Sequence, residues 1–125
     1  EKPVWGTCAG MIFMAKNIGI DQPLLSVMDI VVERNAFGRQ IDSFETLLDV
    51  PALNHGVGRP YPAVFIRAPR LVAANGKAEV IAKLDDGTAV AAQEGHWLVT
   101  AFHPELTGDN RFHQYFLEIV NSGER

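Results

Sequence analysis

Two short segments carry residue types that can do chemistry together: Gly6-Thr7-Cys8-Ala9-Gly10 near the start of the chain and Ala101-Phe102-His103-Pro104-Glu105 near its end. A thiol, an imidazole and a carboxylate drawn from distant points make a Cys-His-Glu triad. In such a set the thiol attacks a carbonyl, the imidazole exchanges protons with thiol and leaving group, and the carboxylate fixes the imidazole's tautomer and direction. Each part alone has a plainer reading. A cysteine in a chain that is 47% apolar is by default a small buried hydrophobe, and a histidine beside proline is by default a strand-end residue. The glycine-flanked setting of Cys8 and the pairing of the two segments shift the reading towards catalysis.

The elements that must position these groups follow from local pattern. Pro3-Val4-Trp5 is a short apolar run suited to a strand, and Ala9 to Ile18 suits a helix, so Cys8 falls at a sharp strand-to-helix turn. Gly6 and Gly10 allow that turn and the close approach of other segments. A helix N-terminus beside the thiol favours the thiolate and offers the Ala9 amide as an oxyanion donor. At the other end His96 to Phe102 reads as a strand. Pro104 cannot donate to a ladder and holds His103 extended, so the strand stops there and presents His103 and Glu105 from a loop.

Between these ends the pattern is α/β with an antiparallel extension. The Ala9–Ile18 segment is apolar nearly all round, which predicts a covered helix. Met28 to Glu33 and Phe44 to Val50 read as strands joined by a loop over 34–43. Asn75-Gly76, Asp86-Gly87 and Glu94-Gly95 punctuate runs at Leu71 to Ala74, Ala78 to Leu84, Thr88 to Gln93 and His96 to Phe102, the pattern of a β-meander with tight hairpins. Phe112, Tyr115, Phe116, Ile119 and Val120 form one apolar helical face, with Thr107 or Asp109 available as the cap. The segment 54–60 reads as a flexible loop.

Composition excludes several classes. A net charge of −4, with 11 scattered Lys and Arg, speaks against a nucleic-acid surface. No apolar run approaches the length of a membrane span, and no signal-peptide pattern opens the chain. One cysteine permits no intrachain disulfide, which points to a reducing cytoplasm. His55, His96, His103 and His113 lack metal-ligand spacing, and Gly6–Gly10 has no P-loop lysine, so neither a metal nor a nucleotide is expected. The 125 residues amount to one domain.

The two opening motifs, G-x-C-x-G and H-P-E, resemble those of the class I, triad-type glutamine amidotransferases. Val31 to Glu45 (VVERNAFGRQIDSFE), Val64 to Pro69 (VFIRAP) and Phe102 to Phe116 (FHPELTGDNRFHQYF) narrow the resemblance to the glutaminase subunits of pyridoxal 5′-phosphate synthases, over nearly the whole chain. The resemblance implies a three-layer, flavodoxin-like α/β fold and hydrolysis of L-glutamine to glutamate and ammonia by Cys8, His103 and Glu105. It implies glutamine binding by Arg34, Ile66 and Arg67, no cofactor, and delivery of ammonia to a (β/α)₈-barrel synthase subunit for vitamin B6 biosynthesis. Members of that family begin with a strand bearing an A-L-Q-G-like segment and then a P-G-G-E-S loop that completes the oxyanion hole. The chain therefore reads as a C-terminal portion, residues 1–125, of a single amidotransferase domain. The alternatives are a non-catalytic binding module or folding fragment with an incomplete pocket, and a thiol hydrolase acting on another acyl or amide substrate.

Overall fold

Alternation of side chains along the first strand sets the layers. In the computed structural model, which describes residues 3–17, 28–33, 43–53, 59–66 and 68–122, β1 spans Val4–Thr7 and α1 Ala9–Met14. Successive strand residues point to opposite faces. Trp5 packs against Phe112, His113 and Phe116 of the C-terminal helix α2 (Arg111–Ser122) on one side. On the other side Gly6 lies against α1: a Cβ at Gly6 would sit 2.6 Å from the Met14 sulfur and 2.7 Å from the Gly10 carbonyl oxygen. Helices thus cover both faces of a central sheet, and the α1 side closes only because residue 6 has no side chain.

That sheet has seven strands: β1, β2 (Ala15–Asn17), β3 (Met28–Glu33), β6 (Arg70–Ala74), β7 (Glu79–Lys83), β8 (Ala89–Glu94) and β9 (Trp97–Thr100). Their order is β1-β9-β8-β6-β3-β2, with β7 laid along β8. β1 pairs with β9 in parallel, in the register Val4 with Trp97 through Thr7 with Thr100. β2 pairs with β3 in parallel, and the remaining pairings are antiparallel. A separate two-stranded ribbon joins β4 (Ser43–Leu48) to β5 (Tyr61–Ile66), and a 3-10 turn covers Pro104–Leu106.

Three sequence expectations change here. The helix expected to reach Ile18 stops at Met14, and Ala15–Asn17 is a strand on β3, with Ala15 fully buried opposite Met28. A run that is apolar all round suits a buried strand as well as a buried helix, and the pairing edge offered by β3 decides between them. The four-stranded meander is three-stranded, β7-β8-β9. β6 leaves it by lying between β3 and β8 rather than beside β7: one edge pairs with β3, Ile30 opposite Ala74 and Glu33 opposite Arg70, and the other pairs with β8 at Leu71 opposite Ala89. Gly76, at φ 55°, still turns the chain after β6, with the Asn75 amide donating to the Asp29 carbonyl. The expected strand Phe44 to Val50 runs instead over Ser43–Leu48. The expected loop over 34–43 lies outside the described residues except for Ser43, which begins β4, and residues 54–58 of the expected flexible loop also lie outside them.

An aromatic cluster anchors the chain just ahead of His103. Tyr61, Phe65, Phe102 and Phe112 are among the largest side chains buried outright. Phe102 meets Phe112 edge-on at 5.1 Å between ring centroids and Phe65 at 5.7 Å. Phe44 stacks on Phe65 at 4.6 Å, which ties the ribbon to the same cluster. Burial of rings this size contributes the most per residue to the core.

The head of α2 is held by a largely buried ion pair that the sequence reading does not single out. Arg111, 5% exposed, donates to the Asp109 carboxylate from Nε at 3.0 Å and from Nη2 at 2.6 Å. Its other donors reach the carbonyls of Arg59 at 2.7 Å and Pro60 at 2.9 Å, tying the start of the helix to the chain entering β5. Asp109 also accepts the Arg111 amide at 3.0 Å, but the Asn110 carbonyl accepts the first helical bond, from the Gln114 amide at 3.0 Å, so Asn110 holds the cap position and Asp109 supports it from one residue before. Removing one partner of such a pair strands a charge out of water. Asp109→Ala, which leaves the guanidinium its two carbonyl partners, is therefore predicted to destabilise the protein by about 2–3 kcal/mol, read as a fall in the urea midpoint at unchanged slope.

Candidate active site

The site is built where two parallel strands end side by side. Thr7 and Thr100 are the last paired residues of β1 and β9, and the carboxyl ends of adjacent parallel strands form a natural crevice in an α/β sheet. One residue further on, the Cys8 amide donates to the Thr100 carbonyl at 2.9 Å, and the Cys8 thiol donates to the Ala101 carbonyl at 3.1 Å. The Cys8 carbonyl then accepts the Met11 amide at 3.0 Å, closing the first turn of α1. Among the described residues Cys8 is the one non-glycine residue with positive φ, at 50°. This is the strained strand-to-helix elbow that the glycine-flanked cysteine predicts.

The glycines divide their roles differently from the sequence reading. Gly6 is needed for close approach, as described above, whereas a Cβ at Gly10 would meet nothing within 4 Å. What matters at residue 10 is its backbone, which rests on Gly6. Ala9 is the first residue of α1, so its amide has no partner within the helix.

His103 and Glu105 meet as expected. The Nδ1 atom of His103 lies 2.7 Å from Oε2 of Glu105, with the imidazole 24% and the carboxylate 56% exposed. His103 is extended, at φ −102° and ψ 94°, and Pro104 opens the 3-10 turn that swings Glu105 back towards the ring. The His103 amide donates to the Val64 carbonyl of β5 at 2.8 Å. Partial burial pushes the Glu105 carboxyl up, but the hydrogen bond to His103, its own backbone amide and the nearby imidazoles of His103 and His113 outweigh this and hold it below the usual carboxylate range.

The thiol behaves in the opposite sense to the sequence expectation. Burial, with the Glu105 charge adding to it, pushes the Cys8 thiol up from 9.0 to about 11. A six-residue helix contributes little field against the cost of removing a thiolate from water, and the Ala101 carbonyl stabilises the S–H form. Cys8 rests protonated, at 8% exposure.

The remaining site residues fall out unevenly. Ile66, at the end of β5, is 41% exposed. Arg34 and Arg67 lie outside the described residues. His113 packs edge-on against Trp5 at 5.1 Å between ring centroids. Among the described residues no group of three His, Cys, Asp or Glu side chains is arranged to hold a metal ion, and no helix is long and apolar enough to cross a membrane.

Comparison with known proteins adds an independent line. A family model described as the SNO glutamine amidotransferase family matches residues 1–122. The chain is 57% identical to a pyridoxal 5′-phosphate synthase subunit PdxT of Herpetosiphon aurantiacus, over 94% of this chain and 62% of that protein. It is 51% identical to the protein of the same name from Methanobrevibacter smithii, over 94% of this chain and 58% of that one. It superimposes with a TM-score of 0.86 on a crystal structure of a glutamine amidotransferase, at 45% identity, over 95% of this chain and 61% of the other. A structure from Thermoplasma acidophilum, at 18% identity and a TM-score of 0.67, shares the fold alone. The chain thus spans about three-fifths of the length of the relatives it matches.

The raised thiol sets a measurable pH dependence. Below pH 9 the thiolate population of Cys8 is about a hundredfold smaller than that of a thiol at the ordinary value, so alkylation by iodoacetamide is predicted to be slow at pH 8 and to keep rising towards about pH 11. By the same linkage, the stability gained from keeping Cys8 protonated is fully present below pH 9.0 and is lost as the pH rises through about 11. A plateau in alkylation near pH 8 would contradict this.

Proposed function

The chain belongs to the SNO glutamine amidotransferase family, and on that premise we propose that it carries the catalytic part of a glutaminase that releases ammonia from L-glutamine for pyridoxal 5′-phosphate synthesis. The reading is carried above all by the elbow at the end of β1, where a strained Cys8 stands beside the strand end that leads to the His103–Glu105 pair. The relatives named as synthase subunits supply the substrate and the setting.

In the proposed reaction glutamine enters the crevice beyond β1 and β9. The Cys8 S–H turns from the Ala101 carbonyl and gives its proton to His103, and the sulfur attacks the side-chain amide carbon. Glu105 on Nδ1 leaves the other ring nitrogen to handle protons and stabilises the imidazolium that forms. The Ala9 amide stabilises the oxyanion. The C–N bond breaks as His103 protonates the departing ammonia, leaving a γ-glutamyl thioester, and water activated by His103 hydrolyses it to glutamate. By the family resemblance Arg34, Ile66 and Arg67 line the glutamine pocket, a guanidinium fork being well matched to the α-carboxylate. No cofactor takes part. Ammonia passes to a (β/α)₈-barrel synthase subunit in a heteromeric, cytoplasmic complex, and residues 1–125 form part of one amidotransferase domain.

One observation favours a second reading, in which these residues do not catalyse by themselves. The thiol is buried, protonated and engaged with the Ala101 carbonyl.

The test is glutamate release by the full-length protein mixed with the synthase subunit. Cys8→Ala is expected to reduce it to background, and Glu105→Gln to lower kcat by about 10²–10⁴ with little change in KM. A glutamine-like diazo-ketone should label Cys8. No release from the unmodified complex favours the non-catalytic reading, and release of some other acyl group without diazo-ketone labelling favours a different thiol hydrolase.

A further inference from the structure

We propose that Thr100 is a positioning residue that sets the direction of His103, with Trp5 orienting the Thr100 hydroxyl. The proposal rests on the glutaminase reading for its kinetic consequence and on geometry for the rest.

Thr100 is fully buried, and with Arg111 it is one of two polar residues so classed among those described. A hydroxyl withdrawn from water needs partners, and those of Thr100 are specific. Its Oγ1 accepts the indole N–H of Trp5 at 3.2 Å and donates to the carbonyl of Phe102 at 3.4 Å. The Phe102 carbonyl belongs to the peptide unit that leads into His103. The N–H of that same unit donates to the Val64 carbonyl at 2.8 Å. One peptide plane is therefore held at both ends, by β9 through the Thr100 hydroxyl and by β5 through Val64. Holding this plane fixes the N–Cα bond of His103, and with Pro104 restricting the backbone beyond it and Glu105 engaging Nδ1, it narrows the directions open to the ring.

Trp5 determines which way the hydroxyl points. A threonine hydroxyl rotates freely to suit its neighbours. With the indole N–H occupying a lone pair, its proton is directed to the Phe102 carbonyl. Trp5 lies on β1, three residues ahead of Cys8, and is fixed by Phe112 and Phe116 of α2. The Thr100 carbonyl meanwhile accepts the Cys8 amide. A single residue thus holds the nucleophile's turn by its main chain and the approach to the imidazole by its side chain. Small displacements of reacting groups cost large factors in rate, which is why a hydroxyl that never touches substrate can matter to kcat.

Thr100→Val keeps the shape and removes the hydroxyl, and Thr100→Ser restores the hydroxyl. In the full-length protein with its synthase subunit, Thr100→Val is expected to lower kcat for glutamine hydrolysis about tenfold with KM within twofold, and Thr100→Ser to stay within about threefold of the unsubstituted protein. A second readout does not require glutamine to be the substrate. In proton–carbon NMR spectra the His103 ring signals, assigned by their loss in His103→Gln, should move in Thr100→Val towards their positions in Glu105→Gln and stay in place in Thr100→Ser. Trp5→Phe, which removes the indole donor and keeps a ring against α2, should shift the same signals in the same direction and serves if Thr100→Val does not fold. Ring signals unmoved in Thr100→Val, or in Trp5→Phe in its stead, overturn the proposal whatever the kinetics. Moved signals support it even where glutamine is not hydrolysed, an outcome that counts against the glutaminase reading alone. Equal loss of kcat in the Val and Ser variants also overturns it, because the hydroxyl would then not be the relevant group.

Discussion

The parallel pairing of β1 with β9 is the constraint on which the site depends. Their residues are far apart in the chain, so the contact costs considerable loop-closure entropy, and the intervening strands β8, β6 and β3 offset it by building one continuous sheet. The ladder runs from Val4 opposite Trp97 to Thr7 opposite Thr100 and is extended by the Cys8 amide on the Thr100 carbonyl. Because the register is fixed on both faces, by Trp5 under α2 and by Gly6 under α1, a slip of one residue would turn an indole into the α1 contact.

The electrostatics of the crevice separate its groups into two states. Glu105 is held ionised by its hydrogen bond and the imidazoles around it, while Cys8 is held neutral by burial and by the Glu105 charge. An anionic carboxylate near a buried sulfur opposes formation of a second negative charge, and protonation of His103, which is hydrogen-bonded to that carboxylate, would offset it. In the proposed reaction, proton transfer from sulfur to imidazole would form a charged pair in place of an isolated thiolate.

Much of the fold and site is legible in the sequence where local pattern and tertiary context agree. Cys8 between glycines forces an elbow, Pro104 ends a strand, and the apolar face from Phe112 to Ile119 is a covered helix face. The fold class, a mixed α/β sheet of the class I amidotransferase type, follows from the motifs and agrees with the superposition. Where the two levels diverge, the sequence cannot decide. Ala15–Asn17 looks helical until β3 supplies an edge, and β6 looks like part of a meander until β3 takes it. The neutrality of Cys8 depends on burial and on the Glu105 charge, which no spacing encodes. Arg111 and Thr100 escape notice because an arginine at a helix start and a threonine in an apolar strand are unremarkable until their partners are known. The Asp109-x-Arg111 spacing at the helix head was the one available signal for the ion pair.

The positive φ of Cys8 has a further implication. A left-handed backbone at a residue bearing a side chain costs about 1–2 kcal/mol that glycine would not incur, and the thiol gains only one neutral hydrogen bond in return. Pressure for foldability alone would therefore move position 8 towards glycine or asparagine. A cysteine at that position suits a demand from outside the folding problem, and on the proposed reading relieving the strain would leave a sturdier molecule without its nucleophile.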